Sequence, residues 1–108
     1  MAVKYQNPVM ELTEQQLRLL AFPPNAEGNA EAVKFLYGDV IRYTNEWQWW
    51  DGTKWVDDAK SSVIQLVITT LQKRQELAVM THNTVLEKRC ACNLAPIMNV
   101  VRLLKASF

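Results

Sequence analysis

All four tryptophans of the chain fall within residues 47–55, as Trp47, Trp49, Trp50 and Trp55 around the dipeptide Asp51-Gly52. An Asp-Gly pair between apolar-rich segments is a strong hairpin signal, because a two-residue turn needs positive φ at both central positions. Such a turn pairs Trp50 with Thr53, Trp49 with Lys54, Gln48 with Trp55 and Trp47 with Val56. Alternation along the strands then puts Trp50 and Trp55 on one face, and Trp47, Trp49 and Val56 on the other. Large rings on both faces leave two arrangements: helices cover both, or one tryptophan pair is exposed. Val40-Ile41-Arg42-Tyr43 reads as a third strand.

Outside residues 40–56 the apolar spacing is helical. Thr13 with Gln16 three residues on makes a capping box, Leu12 is placed to staple onto Leu17, and Leu17 with Leu20 marks the stripe expected to be buried. Phe22-Pro23-Pro24 ends that helix, because proline cannot continue it. A second helix is expected over 30–37, capped by Asn29 and stopped by Gly38, with Val33, Leu36 and Tyr37 on one face. Asp57 or Asp58 is expected to cap a long third helix over 59–79. Its stripe of Val63, Leu66, Val67, Thr70, Leu71 and Leu77, widened by Ile64 and Ile68, asks for two neighbours. Two more helices follow over 83–92 and 93–105. The first offers Leu86/Cys90 and Val85/Cys92 for burial; the second offers Leu94, Ile97, Met98, Val101 and Leu104, with Pro96 tolerated in its first turn. The expected architecture is α+β: a small three-stranded antiparallel sheet packed on a bundle of about five short helices. Residues 1–10, broken by Asn7-Pro8, read as a tail, and 11–108 as one domain.

At 108 residues, 49% hydrophobic and 21% charged, the composition is that of one globular domain. The N-terminus lacks the apolar core of a secretory signal, and no apolar run approaches the ~20 residues of a membrane span. Cys90 and Cys92 form no disulfide framework, so a reducing, cytoplasmic setting is expected. Charge is uneven: residues 1–58 hold five basic and nine acidic side chains, residues 59–108 seven basic and two acidic. Such halves present either an acidic and a basic face or ordinary solvated helix surfaces.

The sequence lacks the usual catalytic constellations. Gly52-Thr53-Lys54 is without the spacing of a phosphate-cradling loop. His82, Cys90 and Cys92 offer three metal ligands where a structural zinc site takes four, and Cys-x-Cys on a helix points its sulfurs apart. One histidine must serve every nucleophile. No metal, cofactor or catalysis is expected of the chain.

Residues 27–58 carry a distinctive order: Glu27-Gly28-Asn29-Ala30-Glu31 opening a helix, Tyr37-Gly38-Asp39 closing it, Ile41-Arg42-Tyr43, Glu46-Trp47, then Trp50-Asp51-Gly52-Thr53-Lys54-Trp55-Val56-Asp57-Asp58. This resembles the N-terminal domain that precedes the superfamily 3 helicase in phage and plasmid primase–helicases, a relative of which occurs in the poxvirus primase–helicase. The resemblance runs in order over residues 27–108. It implies a non-catalytic accessory domain in the replication of mobile DNA, touching single-stranded template or docking a primase, polymerase or helicase, and monomeric when isolated. Lys60, Lys73, Arg74, Lys88, Arg89, Arg102 and Lys105 are the candidates to follow a phosphate backbone. Trp47, Trp49, Trp50 and Trp55 are the candidates to stack bases. Because tryptophan dominates small cores, Trp47, Trp50 and Trp55 are expected in the core before they are expected on a platform. Two other functions compete: a protein-interaction or regulatory module without nucleic-acid binding, and a carbohydrate-binding module stacking sugars on tryptophan.

Overall fold

A computed structural model describes residues 11–108; the tail expected over 1–10 lies outside the described residues. Five helices and one antiparallel sheet make an α+β domain in the order α1 (Glu14–Ala21), α2 (Ala26–Tyr37), β1 (Ile41–Tyr43), β2 (Trp47–Trp50), β3 (Trp55–Val56), α3 (Lys60–Met80), α4 (Thr84–Arg89) and α5 (Leu94–Ala106). Four of the helices are short and one is not. The 21-residue α3 is the axis, touching α1, α2, α4, α5 and β2.

Local chemistry sets most of the boundaries. The Thr13 hydroxyl accepts from the Gln16 amide and the Gln16 side chain accepts from the Thr13 amide, which closes the capping box of α1. Leu17 is nevertheless exposed and Leu19 is buried, packing with Ala32 and Leu77. α2 starts four residues earlier than expected. Asn25, not Asn29, caps it, accepting from the Gly28 amide at 2.7 Å. Gly28 and Asn29 are poor helix formers, yet both sit inside α2 for tertiary reasons. A Cβ on Gly28 would stand 1.8 Å from the Pro23 carbonyl oxygen, so only glycine lets α2 pass under the Pro23-Pro24 bend.

The sheet has strand order β1-β2-β3, but the hairpin differs from the expected one. Trp50 pairs with Trp55 and Trp49 with Val56, so the loop holds four residues, not two. Asp51 explains the change. Its carboxylate accepts from the Thr53 amide, the Thr53 hydroxyl and the Lys54 amide at 2.8–2.9 Å, folding the loop around itself. These bonds hold the Asp51 carboxyl below its ordinary pKa. Within this loop only Gly52 takes a positive φ, +105°. The slip moves each partner along by two, which preserves the faces: Trp50 and Trp55 share one, and Trp47, Trp49 and Val56 the other.

Three further expectations are corrected. Neither Asp57 nor Asp58 caps α3; Ala59 is the N-cap residue without a side-chain bond, and Asp58 turns the chain with φ +59°. Val85 and Cys92 are exposed, leaving Leu86 and Cys90 as the buried pair of the α4 region. Leu94 is 77% exposed, and Val100 takes its place on the buried face of α5. The main core gathers Val33, Ile41, Trp47, Val63, Val67, Leu71, Leu86, Val100, Val101 and Leu104 between α2, α3, α5 and the inner face of the sheet.

Candidate functional site

The four tryptophans divide. Trp47 is core, 5% exposed, edge-on to Tyr43 at 5.2 Å and to Phe108 at 6.0 Å. Trp50 and Trp49 are 37% and 39% exposed and Trp55 is half-buried, which corrects the expectation of Trp50 in the core. Trp50 and Trp55 meet at 61° with centroids 5.5 Å apart. The Arg42 guanidinium lies 4.1 Å over Trp55, its Nε donates to Gln48 at 2.6 Å, and Gln48 donates to Asp57 at 2.5 Å. The outer face of the sheet thus satisfies itself. Two rings tilted this far form no flat row for a sugar chain, an argument against carbohydrate binding.

The seven candidate cations do not form one track. Arg74 is fully buried, so it has no surface to offer a phosphate. It clasps the protein instead: Nε donates to the Leu19 carbonyl at 2.8 Å, Nη1 to the Asn29 side-chain oxygen, and Nη2 to the carbonyls of Phe22 and Pro23. No carboxylate is among those partners; carbonyls at the C-terminal end of α1, where the helix dipole is negative, take that role. Asn29 is the hub. Its oxygen also receives the Cys90 thiol at 3.4 Å, and its amide donates to the Arg89 carbonyl at 3.2 Å. Burial raises the Cys90 pKa, partly offset by Arg74. Sequence reasoning missed this network, because Asn29 after Gly28 reads as a cap and Arg74 as a surface cation open to a phosphate.

Lys73 lines a small groove with Gln15, Gln16 and Glu76. Lys88 and Arg89 line another with Asn99 and the start of α2. Lys60, Arg102 and Lys105 come together. They line a cleft of about 430 Å³ between the β1–β2 turn, the start of α3 and the second half of α5. Tyr43 and Trp47 form its aromatic wall, Met98 and Val101 its apolar base, and Asn45, Glu46 and Asp58 complete the rim. The Lys105 ammonium rests 4.7 Å over the Tyr43 ring. Arg102 donates to Asn99 at 2.7 Å, one turn back on α5. The uncapped first turn of α3 adds its positive dipole end to this cleft.

Two carboxylates oppose three cations here, so the cleft keeps one net positive charge. Desolvation first, then repulsion from Asp57 and Asp58, raises the Glu46 pKa above the usual carboxylate value. An anion is therefore attracted weakly, and more strongly once Glu46 takes a proton. Tyr43 was legible only as a strand residue; its role follows from the approach of α5 to the sheet.

Among the described residues no group of three His, Cys, Asp or Glu side chains could hold a metal ion, and no helix is long and apolar enough to cross a membrane. No family model, curated protein or solved structure matches the chain.

Proposed function

We propose that the chain is a non-catalytic accessory domain in the replication of a mobile DNA element, contacting single-stranded DNA through the cleft between the sheet, α3 and α5. The observation that carries this reading is the convergence of Lys60, Arg102 and Lys105 around the exposed side of Tyr43. Cations attract the backbone whatever its sequence, and an aromatic ring favours bases that are free to unstack. The motif order over residues 27–58 supports the replication setting and, with it, the cytoplasm of a bacterium or infected cell and a monomeric isolated domain. The binding set is Lys60, Arg102 and Lys105 with Tyr43; Lys88 and Arg89 form a separate outer contact, and Arg74 belongs to the core.

Docking of a primase, polymerase or helicase is the second reading. A largely apolar groove lined by Val40, Trp49 and Leu66, on the sheet side away from the Trp50–Trp55 pair, favours it.

Fluorescence anisotropy with labelled single-stranded and duplex oligonucleotides, at low and moderate salt, tests the proposal. Salt-sensitive binding with single-strand preference is expected, weakened by Arg102→Ala. Absence of binding at low salt overturns the DNA reading and leaves docking.

A further inference from the structure

We infer that Tyr43 and Lys105 form an exchange site for one unpaired nucleotide, in which a base replaces the lysine ammonium on the ring and the ammonium moves to the adjoining phosphate. This rests on the cleft's being the DNA contact and adds how it distinguishes single strand from duplex.

Three observations lead to the exchange. First, the Tyr43 ring is held in place before any ligand arrives: it sits on β1 opposite Trp47 and packs edge-on against that buried ring at 5.2 Å. Second, the Lys105 ammonium stands over the ring, 4.7 Å from its centroid. Lys105 is exposed, near the end of α5, and its side chain is flexible enough to swing aside. Third, Lys60 and Arg102 line the same cleft, so a phosphate entering with the base meets two cations and gains a third when Lys105 is displaced.

The balance of known contacts favours the exchange. An exposed cation–π contact is weaker than the stacking of a nucleobase on an aromatic ring. The displaced ammonium is not lost, because a phosphate oxygen replaces the ring as its partner. A duplex cannot make the same move. Its bases are stacked on one another and its phosphates reach the cleft without a ring to insert, so only the charge contribution remains.

The test is anisotropy with labelled oligothymidine and a blunt duplex, using the unsubstituted chain, Tyr43→Leu, Tyr43→Phe and Lys105→Met. Tyr43→Leu is expected to weaken single-strand binding by about fivefold or more and to leave duplex binding within about twofold, erasing the preference. Tyr43→Phe keeps the ring and is expected to keep the preference. Lys105→Met uncovers the ring and removes one phosphate contact: the salt slope falls by about one while the single-strand preference stays or grows. If Tyr43→Leu fails to fold, the Lys105→Met result decides. A single-strand preference lost in Lys105→Met, or kept in a folded Tyr43→Leu, overturns the exchange and leaves DNA binding standing. No binding of either oligonucleotide by the unsubstituted chain overturns the DNA reading itself.

Discussion

At the scale of single residues, the most constrained side chain is Arg74. A guanidinium taken wholly out of water needs its donors met, and here four oxygens from three segments meet them. Arg74→Met leaves buried carbonyls unpaired, and a loss of about 3–5 kcal/mol in denaturant-midpoint measurements is expected. Arg74→Lys is expected to recover little, because an ammonium lacks the planar fork that spans Leu19, Asn29 and Phe22. The tryptophans contrast in the same way. Trp47→Ala should cost about 3–5 kcal/mol, since it opens a cavity in the main core. Trp50→Ala should cost only about 1–2 kcal/mol, since that ring is partly solvated and its chief contact is one tilted pair with Trp55. Equal losses for the two would contradict the observed division of the tryptophans.

At the scale of elements, the hairpin loop and the start of α2 show how neighbouring residues share a task. Gly52 has open space around it, so Gly52→Ala creates no clash; its φ of +105° is what a side chain resists. A destabilisation of about 1–2 kcal/mol is expected, read as a lower melting temperature with an unchanged circular dichroism spectrum. Gly28→Ala acts through space instead and is expected to be the harsher change, because the Pro23 carbonyl blocks a Cβ. A melting temperature for Gly28→Ala at or above that of Gly52→Ala would show that the bend after α1 can yield. The Asp-Gly signal named the turn and both strand faces correctly and missed the loop length. Loop length depends on where the Asp51 carboxylate finds donors, and several turn geometries satisfy the same two letters.

At the scale of the whole molecule, the cleft turns the uneven charge of the chain into a local property. Lys60, Arg102 and Lys105 come from the basic half, and Glu46 and Asp58 from the acidic half. The Glu46 pKa is raised, so as pH falls its carboxylate takes a proton more readily than an ordinary glutamate and the cleft loses a negative charge. Single-strand affinity is therefore expected to rise about two- to fivefold as pH falls from neutral toward the Glu46 titration. Glu46→Gln should flatten that dependence and match the low-pH affinity at neutral pH; an unchanged pH profile in that variant would remove Glu46 from the cleft's electrostatics. The sequence by itself determined the element order, the α+β class, the α1 capping box and the alternation that sorts the tryptophans, because each depends on contacts between residues close in the chain. Only the tertiary structure decided that Asn29 is a hub and not a cap, that Arg74 is buried, and that Tyr43 meets Lys105. Those facts join residues 45 to 62 positions apart, and neither periodicity nor spacing encodes which helix faces which.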